Sequence, residues 1–357
     1  MSSLIFLKHI AFATGVLALT VVLIVAIASA ILLGQFSASE DSDISSAKVP
    51  PFLRTGGIAI IVAYLTGIFL IQILGEFTPI KFHYFWGFLG ASILLAVTSF
   101  YSSFKSLDIK LNLAGQVLAA LIVMYSGIVI SEIRLPWVGL VAGGWWVYPM
   151  TLLWILGLTN VYATMEKVDG LATSAAVIAS GFFCFITFQQ GSAFIYLCSV
   201  TLFAVSIGFL AFNWPPSKIY LGQLGATFLG FSFAVMGIIA ALYDSVHSSL
   251  FTTPLLLFHF IFEAVFYFGS LLRSGRRVGD GQGIQLCHLL GKLNYSDRTI
   301  VLFYSGVGVA QGIGAILMIN IGNGRMWVFL PFLLFQIAYA SWLLHRSKRF
   351  GPSRVSV

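Results

Sequence analysis

Apolar runs of about 20 residues alternate with short polar segments along the whole chain, and about 20 apolar residues is the length a helix needs to cross a bilayer. Eleven stretches qualify: 10–34, 56–74, 84–100, 111–130, 143–162, 171–188, 192–212, 221–243, 252–272, 300–320 and 327–344. The pattern predicts an all-α polytopic membrane protein, with residues 1–357 forming a single integral membrane domain. The longest polar separators are 35–55 and 273–299. Any chemistry is expected there or in the shorter loops on the same side.

Composition sharpens this picture. Hydrophobic residues make up 59% of the chain and charged residues 9%, with a mean hydropathy of +0.98. Globular domains carry roughly a quarter charged residues, so a soluble domain, a disordered chain and a nucleic-acid-binding protein are all excluded. The net charge of +7 suggests a basic patch until its placement is traced. Of the 19 Lys and Arg residues, fifteen fall in loops 1, 3, 5, 7 and 9 and the C-terminal tail; only Lys8, Lys81, Arg134 and Arg325 fall on the other side. Cytoplasmic loops are enriched in these residues, which predicts the N-terminus outside and the C-terminus in the cytoplasm. The charge is then a topology signal and needs no anionic partner. Ala28-Ser29-Ala30 imitates a signal-peptide cleavage site, but cleavage would put the fifteen basic residues on the wrong side, so the segment is expected to be retained. Cys184, Cys198 and Cys287 lack metal or disulfide spacing and are expected to be packing residues.

Polar residues inside or beside the apolar runs are the candidates for function. Glu263 is the one acidic residue in the middle of a predicted span, where a carboxylate is costly and often functional. His259 lies four residues earlier, on the same helical face. The pair reads either as a buried packing element or as the polar wall of a groove. In loop 5, Glu166 and Asp169 are three residues apart and followed by Gly170; they can present oxygen ligands to Mg²⁺, which usually shares such ligands with substrate phosphates. In the segment 213–225, Pro215-Pro216 breaks one helix, and Gly222 and Gly225 allow close approach at the start of the next, with Lys218 nearby to meet a phosphate. Gly308 and Gly312 form a small-residue face suited to helix packing.

These segments, in this order, resemble the polyprenyl-phosphate N-acetylhexosamine-1-phosphate transferases of the glycosyltransferase family 4 type, which start peptidoglycan, O-antigen and teichoic-acid lipid intermediates. Pro51 to Ile58, with Arg54 and Gly56-Gly57, is similar to the Pro-x-x-Arg-x-Gly-Gly lead-in to the second span. Leu107 to Gln116, with Lys110, resembles the stretch after an Asp-Asp pair. Loop 5, from Asn160, resembles Asn-x-x-Asn-x-x-Asp-Gly-x-Asp-Gly-x-Ala, and 213–230 resembles Asn-x-Pro-Pro-x-Lys-x-x-x-Gly-Asp-x-Gly-Ser. Phe260 to Ala264 is similar to Phe-Ile-x-Asp-Ala, and 282–305 resembles the histidine loop and its continuation from Ser296 to Tyr304.

The resemblance implies Mg²⁺-dependent transfer of a sugar-1-phosphate from a UDP-sugar to polyprenyl (undecaprenyl) phosphate, with release of UMP, in envelope polysaccharide or glycolipid assembly. It places the protein in a bacterial-type cytoplasmic membrane with the site on the cytoplasmic side, and is compatible with a homodimer. By this resemblance Asp169, Glu166 and His288 are the catalytic candidates, with Asp169 and Glu166 as metal ligands. Asn160, Lys110, Lys218, Gln223, Arg276, Arg277 and Glu263 are the substrate-binding candidates.

The departures concern the polar positions. The Asp-Asp pair falls on Ser102-Ser103, the second Asn of loop 5 on Ala163, its first Asp on Glu166, and the Asp of Gly-Asp-x-Gly on Gln223. The histidine loop reads Gln285-Leu286-Cys287-His288. Serine carries no charge at neutral pH with which to hold Mg²⁺, leaving Glu166, Asp169 and, six residues beyond the lost pair, Asp108 as carboxylates. Three expectations follow: a divergent transferase using Glu166 and Asp169; a pseudoenzyme that binds polyprenyl phosphate or nucleotide-sugar as a regulator or scaffold; and, against the collinear motifs, a transporter built on His259 and Glu263.

Overall fold

The computed structural model describes most of residues 12–28, and residues 56–74, 82–105, 109–135, 139–243, 249–274, 284–321 and 325–349. The separator 35–55 with Glu40, Asp41, Asp43 and Arg54, together with Asp108, Arg276 and Arg277, lies outside the described residues, as do Ser29-Ala30 and the side chain of Ser103.

The protein is an all-α polytopic membrane protein. An apolar N-terminal helix, α1 (Phe12–Val25), precedes α2 (Gly57–Leu74), α3 (Phe82–Lys105) and α4 (Ile109–Tyr125). A two-stranded hairpin then interrupts the helices, β1 (Glu132–Leu135) pairing antiparallel with β2 (Gly139–Ala142) in the register Ile133↔Val141. The chain continues through α5 (Val147–Met165), α6 (Leu171–Gln189), α7 (Ala193–Asn213) and α8 (Gly222–Tyr243). It ends with α9 (Ser249–Leu256), α10 (Phe258–Arg273), the short α11 (Leu286–Lys292), α12 (Asp297–Asn320) and α13 (Phe329–Arg349). By length and composition, six of the described helices can cross a membrane, or seven if the bent pair α9–α10 is one span.

That pair departs from the straight helix expected over 252–272. The chain turns by 72° between Leu256 and Phe258. Pro254 lies inside α9 and has no N–H to donate to the preceding turn, and a proline is the commonest cause of a sharp helix kink. Hydrogen bonds on both sides of the break survive, from Leu257 N–H to the Thr253 carbonyl and from Ile261 N–H to the Leu257 carbonyl.

The organising element is α8. Its apolar window is 94% buried, so a helix apolar on all faces is wrapped by other helices rather than by lipid. Association between helices in a bilayer relies on close packing, which favours small residues at the contacts. Gly57 and Gly225 bring the starts of α2 and α8 together so closely that a Cβ on either would strike the other's backbone. Gly230 does the same against α5, where a Cβ would sit 2.6 Å from the Leu158 carbonyl oxygen. Polar anchors fix the rotation of these helices: Tyr64 donates to the Met236 sulfur at 3.1 Å, and Trp154 Nε1–H donates to the Ala234 carbonyl at 3.1 Å. Helices α2, α3 and α5 thereby surround α8, and α6 packs on α7 and α12.

Candidate functional site

A cleft of about 680 Å³ opens between α3, α4, α5, α8 and the bent α9–α10 pair. Its polar lining comes from Ser102 on α3, Asn112 and Gln116 on α4, Asn160 on α5 and Gln223 at the start of α8. The remaining wall is apolar and includes Leu113, Leu153, Trp154, Ile261, Val265 and Phe268. The bend at Leu257 brings Pro254 from one half of the broken helix and Ile261 from the other onto the same wall. Leu153 and Val265 are 68% and 65% exposed, so the apolar side of the cleft opens outward from the helical bundle.

The polar side is a set of neutral groups. Asn160 donates from Nδ2 to Gln116 Oε1 at 2.7 Å and to the Leu156 carbonyl at 2.8 Å. Ser99 donates to Asn112 Oδ1 at 3.4 Å. Gln116 is 3% exposed and Asn112 8% exposed, whereas Gln223 is exposed. Among the described residues, no Asp, Glu, Lys, Arg or His lines the cleft.

The loop from α5 to α6 lies further along. Glu166 sits at the C-terminal cap of α5, six residues after Asn160. At about 1.5 Å and 100° per residue, that is about 9 Å along the axis and about a third of a turn away from the direction of Asn160. Asp169 accepts a hydrogen bond from Ser217 Oγ at 2.6 Å. Gly170 adopts φ +76°, and a Cβ there would lie 3.0 Å from Pro215 Cδ, so conformation and space both require glycine. Thr173 donates to Asn213 Oδ1 at 2.7 Å, Asn213 Nδ2 donates to the Ile219 carbonyl at 2.9 Å, and Arg298 Nε donates to the Pro215 carbonyl at 2.7 Å. Residues 213–219 are therefore strapped to α6 and α12, with Asp169 as one of the straps. Lys218 is exposed on this loop, Lys110 is exposed at the start of α4, and neither lines the cleft.

Glu263 and His259 take different partners. Glu263 accepts from the Cys287 backbone N–H at 2.8 Å and from Tyr304 OH at 2.6 Å, and its side chain is buried. His259 Nδ1 lies 2.6 Å from Gln311 Oε1. Gln285 Nε2 donates to the Thr164 carbonyl at 2.9 Å. The two contacts from 285–287 hold α11 against α10 and the end of α5, with His288 on its exposed side. Partial burial, then the positive charges of Lys167 and Lys292, hold the His288 imidazole below its ordinary value, and Asp297 opposes them. Burial, followed by the neighbouring Glu263 carboxylate, pushes the Cys287 thiol well up, which suits a packing residue rather than a nucleophile.

The described lining of the cleft does not by itself fit a resident Mg²⁺. This hard cation favours carboxylates shared with substrate phosphates, and the described lining offers amides and a hydroxyl. Among the described residues no three His, Cys, Asp or Glu groups converge to hold a metal. Of the two carboxylates proposed from the sequence, Asp169 accepts one hydrogen bond from Ser217 and Glu166 caps the end of α5, and neither lines the cleft. Asn112 and Gln116 were absent from the sequence candidates. Their spacing of four residues, two amides on one face of an apolar helix, was the signal available to find them.

Residues 85–241 match the sequence model of glycosyl transferase family 4. The chain is similar to a protein of Bacillus subtilis (strain 168) named probable undecaprenyl-phosphate N-acetylglucosaminyl 1-phosphate transferase, at 26% identity over 292 residues, 81% of this chain and 77% of that protein. It is also similar to phospho-N-acetylmuramoyl-pentapeptide-transferases. That of Listeria monocytogenes serotype 4b (strain CLIP80459) is 31% identical over 49% of this chain and 52% of its own length. That of Latilactobacillus sakei subsp. sakei (strain 23K) is 28% identical over 39% and 46%. The chain thus joins an all-α polytopic membrane fold to similarity with glycosyl transferase family 4 over residues 85–241. More particularly, the proteins it is similar to are named as transferases of phospho-sugars, one of them acting on undecaprenyl phosphate.

Proposed function

We propose that this protein is a cytoplasmic-membrane homologue of the sugar-1-phosphate transferases that retains their lipid-and-sugar cleft, while Mg²⁺-dependent transfer is reduced or lost. Polyprenyl phosphate and nucleotide-sugar are the ligand classes it inherits, reached from the cytoplasmic side, and its role is that of a regulator or scaffold in envelope glycolipid assembly. The observation that carries this reading is the neutral polar lining: Ser102, Asn160 and Gln223 stand at motif positions and face the cleft together with Asn112 and Gln116, without a carboxylate among them. Moving a sugar-1-phosphate means stabilising charge on a diphosphate, and a bound metal supplies several kcal/mol of that stabilisation. Amides and serine supply none of the carboxylate charge that such a metal favours.

Purified protein supplied with undecaprenyl phosphate and a panel of UDP-sugars, with and without Mg²⁺, tests the reading through UMP release. The expected result is no Mg²⁺-dependent release above background, with lipid phosphate or nucleotide still bound. Mg²⁺-dependent release that disappears in Asp169→Asn would overturn it and establish a working transferase on Glu166 and Asp169.

A further inference from the structure

We infer that a second crevice, between α12 and α13 at their basic end, holds one anionic phospholipid of the membrane, with an acyl chain in the crevice and the phosphate beside Arg346. This goes beyond the proposed function and does not rest on it, since the crevice and the cleft have no described lining residue in common.

The crevice has a volume of about 440 Å³, inside the range of about 300–1,000 Å³ that small-molecule sites occupy. Buried Leu290 of α11 and Ile300 of α12 form its floor, and Phe303, Phe335 and Trp342 are its exposed walls. It draws on the first turns of α12 and the second half of α13, so it lies at the end of the helix pair opposite the short 3₁₀ turn Arg325–Val328. The apolar window of α13 is 17% buried, so this helix faces lipid, and an acyl chain is the filling that the surroundings supply. Phe335, Tyr339, Trp342 and Arg346 follow at spacings of four, three and four residues, which makes one stripe along α13. The Arg346 guanidinium stands 5.5 Å from the centre of the Trp342 ring, a cation–π contact that sets a positive charge at the end of the crevice. Tyr295 and Thr299 line the same end with hydroxyls that both donate and accept. Lys292 and Arg298 are exposed nearby in the chain, and the sequence after Arg346 adds Lys348, Arg349 and Arg354. Asp297 is the carboxylate of that first turn, and its charge acts on His288 of α11. Basic clusters at the ends of membrane helices attract anionic headgroups. Bulk phospholipid outnumbers any carrier lipid in a bilayer, so mass action favours it in a crevice that selects by apolar fit and charge. Since Leu290 belongs to α11, which Glu263 holds through the Cys287 N–H, a chain in the crevice braces α11 from a second side.

The test uses the delipidated full chain in a neutral detergent, titrated with phosphatidylglycerol and with phosphatidylcholine of the same acyl chains, with bound lipids counted by native mass spectrometry. One phosphatidylglycerol should be retained in preference to phosphatidylcholine, and the preference should fall about 5-fold in Arg346→Gln. Lys110→Gln removes the same charge from α4 and should leave the preference unchanged. Ala338→Trp fills the crevice from an exposed position and should release the retained lipid. Equal retention of the two lipids, or an equal loss in Arg346→Gln and Lys110→Gln, would overturn the inference. So would displacement of phosphatidylglycerol by an equimolar amount of undecaprenyl phosphate, which would make the crevice a carrier-lipid site. A dimer that Ala338→Trp dissociates while phosphatidylglycerol stays bound would also overturn it, in favour of a contact between two copies. Arg346 is exposed near the end of α13, so its variant leaves folding intact and decides the matter even if Ala338→Trp does not fold. None of these readouts involves UMP release, so failure here is distinct from failure of the proposed function.

Discussion

Of the polar side chains described within the apolar body of this protein, two groups are built on opposite terms. Around Glu263 both carboxylate oxygens are occupied, one by the Cys287 N–H and one by the Tyr304 hydroxyl. In the cleft, the four amides share one side-chain bond with each other, take one from Ser99 and give one to the Leu156 carbonyl, which uses only part of their capacity. The first arrangement ties α10, α11 and α12 together and leaves nothing to offer a ligand. The second holds open a surface that the protein itself does not satisfy. In a low-dielectric setting a satisfied polar cluster acts as a fastener, whereas an incompletely satisfied one open to solvent or lipid is suited to binding.

The widest gap between the two should appear on deletion. Glu263→Leu leaves the Tyr304 hydroxyl and the Cys287 N–H buried without an acceptor, at about 1–3 kcal/mol for each group. A clear fall in the apparent unfolding temperature in detergent is expected. Asn160→Ala removes bonds beside an open cleft and should cost about 1 kcal/mol or less. Equal losses in the two variants would erase the distinction. A middle-sized effect is expected at Gly170, which positions the strapped loop but belongs to neither cluster. Gly170→Ala must adopt φ near +76° against Pro215, and the left-handed conformation alone costs about 1–2 kcal/mol. Limited proteolysis at 213–219 should accelerate accordingly; an unchanged rate would argue that Thr173 and Arg298 alone hold the loop.

The smallest effect concerns His288. Its imidazole titrates below the ordinary 6.5 in the folded protein, so the unfolded chain binds the proton first as pH falls. The contribution to stability is therefore present above pH 6.5 and is lost as pH drops through that value toward the lower, folded one. His288→Gln should flatten the pH dependence of the unfolding temperature between about pH 7 and 5. A slope unchanged from the parent protein would show that other groups set it.

The helices were legible because an apolar run long enough to span a bilayer has few other uses, and the runs at 171–188 and 221–243 coincide closely with α6 and α8. The bend at Leu257 was not: a proline is tolerated inside membrane helices, so Pro254 interrupts no apolar pattern. The hairpin at 132–142 was missed because two four-residue strands are too short to show alternation. Within the site, the replacement of acidic motif residues could be read directly at Ser102 and Gln223. Partnerships could not, since Asp169 meets Ser217 48 residues away, and Glu263 meets Cys287 and Tyr304 at separations of 24 and 41. The helical spacing of His259 and Glu263 placed them on one face correctly but carried no information about which neighbouring helix each would address.

The contrast between α8 and α13 has a bearing on how the chain tolerates change. The apolar window of α8 is 94% buried and that of α13 is 17% buried, although their hydropathies, 2.0 and 1.7, are similar. Lipid conforms to whatever shape a side chain presents, so α13 is free to exchange Leu, Ile, Phe and Val as long as it stays oily. Protein neighbours do not conform: on α8 an exchange that leaves hydropathy untouched still alters shape against packed walls. Two helices that look alike to a hydropathy scale thus answer to different selective filters, one for greasiness and the other for fit.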